Sequence, residues 1–423
     1  MKVGIIGSGG REHALCHFIK KSKNVNQIFC FPGNAGTNQI AKNINVDLSD
    51  FEKIKNEIIK NKIDYLIIGP EKPLVDGIID FFEKNKIKVF GPNKIAAQLE
   101  GSKIFTKKLC KKYKIPTADF GVFNNLKDAI IFLEKANFPI VVKADGLAAG
   151  KGVYICENIE TANQAIKEIF DGKFGSAEEI LIEEFLEGEE MSYFIISDGD
   201  SYKKFQTAQD HKRVFEGDQG KNTGGMGAYS PSKLINDDLD KKILKKIIEP
   251  TLKGLKDLDT SFNGFLYAGL MIKNNEPYLI EYNVRMGDPE CQTILPKLKN
   301  DLMDVIKSCI NKKLNTINLE WYENKSLCVV LCSKGYPDKF ENNIEISNLN
   351  KLETNLSKDE FIFHAGTKFL NNKVLSNGGR VLNFVKNSES FKKSRNDVLT
   401  LIKDLNWNNG FYRNDIGHKV IDK

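Results

Sequence analysis

Along the first hundred residues, short apolar runs alternate with longer amphipathic stretches. Lys2–Ile6, Gln27–Phe31, Tyr65–Ile68 and Lys88–Phe90 are apolar runs of strand length. Between them, Arg11–Lys21, Phe51–Lys60 and Leu74–Lys84 read as helices. This rhythm predicts a parallel sheet with crossover helices. Ligands of such sheets bind beyond the carboxyl ends of the strands. There the chain carries Gly7-Ser8-Gly9-Gly10-Arg11, Pro32-Gly33-Asn34-Ala35-Gly36-Thr37 and Gly69-Pro70-Glu71-Lys72-Pro73.

The rhythm changes near Lys103. A helix over Lys103–Tyr113 leads through Ile115-Pro116 to a second helix and then to a strand ending at Lys143. Val153 starts another strand, and Leu181–Phe185 runs into acidic and glycine residues. Asp198-Gly199-Asp200 and Lys273-Asn274-Asn275-Glu276 sit between strand-like runs as hairpin turns. The stretch from Gln209 to Pro231 reads as a long irregular connection, a kind of segment that is functional or disordered. A helix over Asp301–Lys312, a strand over Leu327–Cys332 and a last helix over Ser388–Leu405 complete the pattern. The fold class is therefore α/β and α+β multidomain. An N-terminal parallel α/β domain spans 1–102, a central domain 103–320, and a small C-terminal α+β domain 321–423.

Composition changes this picture little. A chain of 423 residues exceeds one core. The net charge of +6 comes from lysines spread along the chain, with no basic tail or aromatic-interleaved stripe, so no nucleic-acid partner is expected. No apolar run is long enough for a bilayer, and Met1-Lys2-Val3 enters a strand at once, without a signal peptide. The eight cysteines are scattered, without a zinc spacing, and are expected as free thiols in a reducing cytoplasm.

Candidate chemistry gathers in a few segments. Lys143-Ala144-Asp145-Gly146-Leu147-Ala148-Ala149-Gly150-Lys151-Gly152 places two lysines around a small-residue loop, suited to phosphate oxygens. It is not a Walker loop: the glycine spacing is one residue short, and Gly152 stands where the metal-binding Ser/Thr belongs. A flap closing over a nucleotide is one reading, and an ordinary glycine-rich hairpin is the other. Gly7-Ser8-Gly9 begins a dinucleotide fingerprint, yet Glu12 holds its third glycine position, and Phe31-Pro32-Gly33-Asn34 lacks the ribose-binding acid. What remains is an anion site at a helix start beside Arg11, or else a plain strand–helix turn. Glu281, Asn283 and Arg285 alternate, so they share one strand face. A carboxylate and an amide oxygen suit Mg²⁺, and Arg285 suits a carboxylate or a transferring phosphoryl group. The competing reading is a solvated sheet face. His211 alone reads as structural, and no hydrolase triad or zinc-protease motif is visible.

Together these segments resemble the ATP-grasp superfamily and, within it, the phosphoribosylamine–glycine ligases. The resemblance runs the length of the chain. It rests on 7–14, 32–37, 69–71, 99–103, 143–152, Gln-Asp-His-Lys-Arg at 209–213, Asn-Thr-Gly-Gly-Met-Gly-Ala-Tyr-Ser-Pro at 222–231, Gly-Asp-Pro-Glu at 287–290 and His-Ala-Gly-Thr at 364–367. It implies ATP-dependent joining of glycine to 5-phosphoribosylamine through glycyl phosphate, with Mg²⁺ or Mn²⁺, by a cytoplasmic monomer whose partners are small molecules. It implies an ATP-grasp fold for the central domain, with a flap subdomain at about 122–188.

The resemblance also implies site roles. Lys103, Lys143, Gly146, Gly150, Lys151 and Gly152 would hold ATP phosphates; Glu183, Phe185 and Leu186 the adenine; and Glu190 the ribose. Glu281 and Asn283 would hold the metal. Arg285, Lys143 and Asp210 would serve catalysis. Gly10, Arg11, Asn34, Gly36, Thr37, Glu71, Gly225, Asp288 and Pro289 would line the substrate site together with Arg285. One departure stands out: the strand 264–272 lacks the acidic metal ligand that many ATP-grasp enzymes place there. A non-catalytic nucleotide- or phosphosugar-binding protein, another carboxylate–amine ligase and a carboxylase of purine synthesis stay open as alternatives.

Overall fold

The computed structural model describes residues 1–147, 152–173, 175 and 178–421. Its N-terminal sheet is parallel, in the order Lys42–Asn43, Gln27–Pro32, Lys2–Gly7, Tyr65–Ile68, Lys88–Phe90. The chain fills one side of Lys2–Gly7 and then the other. The loops after Lys2–Gly7 and Tyr65–Ile68 therefore flank the crevice where strand order reverses. The stretch expected as one helix over Leu74–Lys84 is two, Glu71–Asp76 and Ile78–Lys84. Gly77 between them sits at φ +93°, a backbone state open to glycine at little cost.

Helix Lys103–Tyr113 forms where expected. Ser102 Oγ accepts from the Phe105 N–H at 3.0 Å at its start, and Lys114 at φ 55° ends it. Four antiparallel strands follow in the order Phe120–Phe123, Ile180–Glu184, Ile140–Ala144, Val153–Cys156. Helices Leu126–Leu133 and Ile159–Phe170 pack with them around a small core that includes Leu133, Val142, Ile166 and Ile182. A second antiparallel sheet runs Tyr202–Lys204, Glu189–Asp198, Asn263–Lys273, Glu276–Asn283.

The last sheet corrects the reading of 209–231 as irregular. Gln209–Asp210 and Gly227–Ser230 pair with each other, and Gly227–Ser230 pairs with Lys325–Ser333. Arg380–Ser388 and Glu360–His364 continue the sheet, and Gly410–Phe411 pairs with Lys325–Ser333. A sheet thus crosses the 320/321 boundary drawn from sequence. Arg213–Phe215 and Gln219–Asn222 form a separate two-stranded ribbon. Ser388 closes a strand, and the last long helix starts at Phe391, capped by Ser390. All eight cysteines are buried and free.

Candidate active site

A cavity of about 520 Å³ lies where the N-terminal loops, the two antiparallel sheets and the third sheet meet. Strand Ile140–Ala144 is buried throughout, so it carries Lys143 inward. The Lys143 Nζ donates to Glu183 Oε2 at 2.8 Å. Lys107 Nζ lies 3.4 Å from the same oxygen and donates to Thr117 Oγ1 at 2.6 Å. Glu183 Oε1 is buried without a hydrogen-bond partner among the described residues. Lys103 Nζ donates to the Gly146 carbonyl at 2.8 Å. Asp145 accepts from Ser102 Oγ at 2.9 Å and from the Ile104 N–H at 3.1 Å, tying the loop base to the helix start. Burial lowers the pKa of both Lys103 and Lys107, against the pull of nearby carboxylates.

Glu281 and Asn283 line the cavity beside these lysines, and neither side chain has a hydrogen bond or ion pair among the described residues. Their strand holds a bulge. Gly269 pairs with Glu281 and Leu270 with Leu279, which leaves Ile280 extra. Leu279 and Tyr282 are buried in the core, while the successive residues Ile280 and Glu281 are both half-buried; Ile280, Glu281 and Tyr282 all contribute to the cavity wall. From the strand Asn263–Lys273 comes Tyr267, a phenol where an acid was sought. Its hydroxyl accepts from Ser192 Oγ at 2.9 Å, and Ser192 also contacts Glu290 Oε1 at 3.1 Å.

The other group of lining side chains mixes both signs. Arg285 Nε donates to Glu71 Oε2 at 2.9 Å and its Nη2 to Glu100 Oε1 at 2.7 Å. The Arg285 charge holds the Glu71 carboxyl down at about 2. Burial pushes Glu100 up to about 7 despite the same arginine. Arg11 Nη1 donates to the Met286 carbonyl at 3.1 Å and its Nε to Glu12 at 2.6 Å. Arg380, from the third sheet, donates to the carbonyls of Asp288 and Gly224, each at 2.6 Å. Asp210 lines the cavity too, and burial raises its pKa to about 7 although Lys212 is near.

The helix start expected to bind an anion is partly taken. The Gly9 N–H donates to Glu12 Oε2 at 2.7 Å, and the Arg11 N–H donates to Asp288 Oδ2 at 3.1 Å. Carboxylates of the chain thus occupy these amides, because Glu12 fills the position a dinucleotide site leaves to glycine.

Among the described residues, the cavity brings together Lys103, Lys143, Gly146, Gly152, Glu183, Glu281, Asn283, Arg285, Arg11, Glu71, Asp210 and Asp288. Other expected site residues stand behind the wall. Gly10 packs against Asn383 and Gln292, and Gly225 against Pro289. The Asn34 amide donates to the Ser8 and His364 carbonyls, each at 2.8 Å, and Thr37 closes the same turn. Gly36 lies against His13 and His364. Glu190 is not in the lining but pairs at 2.7 Å with Lys212, which is, and that lysine lowers its pKa. Phe185 and Leu186 are half-buried beyond the lining, with backbone groups that make no hydrogen bond among the described residues. Gly150 and Lys151 lie outside the described residues. His211 Nε2 accepts from the Gly417 N–H at 3.1 Å, a structural contact.

Models of phosphoribosylglycinamide synthetase match nearly the whole chain: its N domain over 1–100, its ATP-grasp (A) domain over 101–291 and its C domain over 326–419. The chain belongs to the phosphoribosylglycinamide synthetase family. The phosphoribosylamine–glycine ligase of Caldanaerobacter subterraneus subsp. tengcongensis is 41% identical over 418 residues, spanning 98% of this chain and 99% of the relative. That of Fusobacterium nucleatum subsp. nucleatum is 43% identical over 420 residues, spanning 99% and 98%. The crystal structure of the Thermotoga maritima phosphoribosylamine–glycine ligase superposes with a TM-score of 0.85 at 32% identity, covering 98% of this chain and all of that one. The biotin carboxylase domain of Hydrogenobacter thermophilus 2-oxoglutarate carboxylase, at 16% identity and a TM-score of 0.71 over 95% of this chain and 89% of that one, shares the fold.

Sequence reading missed several residues that line the cavity in this synthetase: Glu100, Lys107, Tyr267, Glu290 and Arg380. Lys107 had a signal, since it stands one helical turn after Lys103. Glu100 and Glu290 lie inside segments that carry the resemblance. Arg380 follows two glycines in a distant strand and gave none.

Proposed function

We propose that this chain catalyses the ATP-dependent ligation of glycine to 5-phosphoribosylamine, giving glycinamide ribonucleotide, ADP and phosphate in purine biosynthesis. The observation that carries this reading is a single cavity with two kinds of wall. Lysines from a helix and a separate small sheet gather around Glu183, and arginines gather around Glu71, Glu100 and Asp288. A nucleotide and an acid–amine pair thereby meet end to end.

In this mechanism the glycine carboxylate attacks the γ-phosphorus, ADP leaves, and glycyl phosphate forms. The phosphoribosylamine nitrogen then attacks the acyl carbon, phosphate leaves, and the nitrogen loses a proton. Charge neutralisation and alignment suffice, without a protein nucleophile. Lys103 and Lys143 serve the phosphates, with the loop 145–153 as the closing flap. The unpaired backbone of Phe185 and Leu186 offers a donor and acceptors to an adenine edge, and Glu190 serves the ribose. Arg285 balances charge on the acyl phosphate, and Asp210 holds an amine. Arg11, Glu71 and Asp288 border the phosphoribosylamine, while Gly10, Asn34, Gly36, Thr37, Gly225 and Pro289 shape its walls.

Glu281 and Asn283 fit Mg²⁺ or Mn²⁺: both offer hard oxygen donors, line the cavity and make no hydrogen bond or ion pair among the described residues. Among the described residues no group of three or more His, Cys, Asp or Glu side chains is arranged to hold a metal. The remaining ligands would thus come from ATP and water. The ion would supply charge neutralisation at the phosphates. Among the described residues no helix is long and apolar enough to cross a membrane. A cytoplasmic monomer that acts on small molecules is the state we infer.

The test is phosphate release from Mg-ATP and glycine, with and without phosphoribosylamine made in situ from ribose 5-phosphate and ammonia. Release that needs both co-substrates, with glycinamide ribonucleotide seen by mass spectrometry, is the expected result. ATP binding without such release refutes the ligase.

A further inference from the structure

A second cavity, of about 500 Å³, shares no lining residue with the first. It opens at the far end of helix Gly10–Lys20, where Phe18 and Lys21 meet the turn Leu295–Asn300 and the edge of the third sheet. Three lysines line it: Lys21, Lys299 and Lys358. Among the described residues none of the three forms an ion pair, although lysines elsewhere in the chain do so repeatedly. Instead Lys21 and Lys299 lie on aromatic faces. Lys21 Nζ sits 4.5 Å from the Phe18 ring centre and 5.4 Å from that of Phe361, and Lys299 Nζ sits 5.3 Å from that of Tyr322.

Two amides in the same wall are unsatisfied. Asn387 is 4% exposed and donates through Nδ2 to the Pro296 carbonyl at 3.1 Å, but its Oδ1 has no partner among the described residues. Asn324 Oδ1 is likewise buried and without a partner among the described residues. Of the two lining acids, Asp301 caps the helix that follows it, and Asp359 has no ion pair among the described residues.

We propose that this cleft binds a nucleoside phosphate. Unpaired ammonium groups attract the phosphate. Tyr322, 52% exposed, offers a face on which any base can stack. Asp359 accepts from ribose hydroxyls. The volume suits a small ligand rather than a polymer. The cleft is also linked to the catalytic cavity. Helix Gly10–Lys20, about 16 Å long, has Phe18 in one cavity and Arg11 and Glu12 in the other. Helix Glu290–Ile294 begins with Glu290 in the catalytic cavity and continues into Leu295 of the cleft. These two helices are the route by which an occupied cleft would shift the affinity of the catalytic cavity for its phosphoribosyl substrate.

The test is lysine acylation of the full chain, read residue by residue by mass spectrometry, so that protection of Lys21, Lys299 and Lys358 is seen apart from protection of the lysines in the catalytic cavity. AMP, GMP, CMP, UMP and inorganic phosphate are each added in turn. At least one nucleotide should slow acylation of Lys21, Lys299 and Lys358 several-fold. A Lys299→Glu/Lys358→Glu variant, altered only at exposed positions, should lose that protection and keep its ligation rate within about twofold. In the wild type alone, the protecting nucleotide should shift the KM for phosphoribosylamine. No protection by any nucleotide, or equal protection by inorganic phosphate, overturns the nucleoside site. Protection without a KM shift overturns the link. The footprint needs no turnover, so it stands or falls apart from the ligase reading.

Discussion

Arg285 touches two carboxylates that differ in state. Its charge keeps Glu71 ionised, with a pKa of about 2, while burial keeps Glu100 near neutrality, at about 7. A lysine offers one compact ammonium and cannot fork between the two. Arg285→Lys should therefore lower kcat about 10²- to 10³-fold with little change in the KM for ATP, checked by steady-state kinetics. Glu100 also links stability to pH. Its folded pKa lies above the ordinary value of 4.5. Its contribution is thus complete below that value and is lost as pH rises through about 7. Glu100→Gln should gain stability relative to the wild type as pH rises from about 5 to 8, read as the difference in Tm. Asp210 follows the same logic in catalysis. Burial first, against Lys212, lifts it to about 7, so below that pH it is neutral and cannot pair with an amine. The acid limb of kcat/KM for glycine should fall near pH 7 in the wild type and flatten in Asp210→Asn. An unchanged limb would remove Asp210 from the substrate contacts.

The strand Glu276–Asn283 shows what an element adds to its residues. Its bulge sets Ile280 and Glu281 on the same side, so an apolar surface and a carboxylate enter the cavity together. Deleting Ile280 restores a regular ladder and still leaves Leu279 and Tyr282 facing the core. The variant should fold, yet its KM for ATP should rise at least about tenfold; an unchanged KM would show that the bulge does not shape the nucleotide site. The residues at this element were legible because alternation is a local signal. The bulge was not, since it exists only relative to Asn263–Lys273. The same contrast runs through the chain. Lys103–Tyr113 carried its own cap and stop, so its limits were plain. Leu74–Lys84 kept helical spacing across Gly77, because side-chain periodicity is blind to one left-handed residue. Gln209–Asp210 and Gly227–Ser230 are too short to alternate, and become strands only by pairing with each other and with Lys325–Ser333. Among the residues that line the cavity, Lys143, Glu281, Asn283 and Arg285 were singled out by spacing. Arg380 was not, because folding alone brings it to Asp288.

In the whole molecule, that shared sheet joins the central and C-terminal segments. Ala228 and Tyr229 are fully buried against Lys325–Ser333. Arg413 adds a second tie, through Asp218 at 2.9 Å and the Arg213 carbonyl at 3.0 Å. A chain ending at residue 320 leaves this surface open and should be insoluble or fail to unfold cooperatively, as read by size-exclusion chromatography and thermal denaturation. Recovery of a stable, cooperatively unfolding fragment would show that the central domain stands alone. The four-stranded sheet that carries Lys143 is the opposite case. Its core, built around Val142 and Ile166, stands apart from the two larger ones. A body with its own core exchanges its backbone amides as its own cooperative unit. In deuterated water the amides of Ile140–Ala144 and Ile180–Glu184 should share one opening free energy, below that of Lys2–Gly7, and a bound nucleotide should raise it toward the value of the rest.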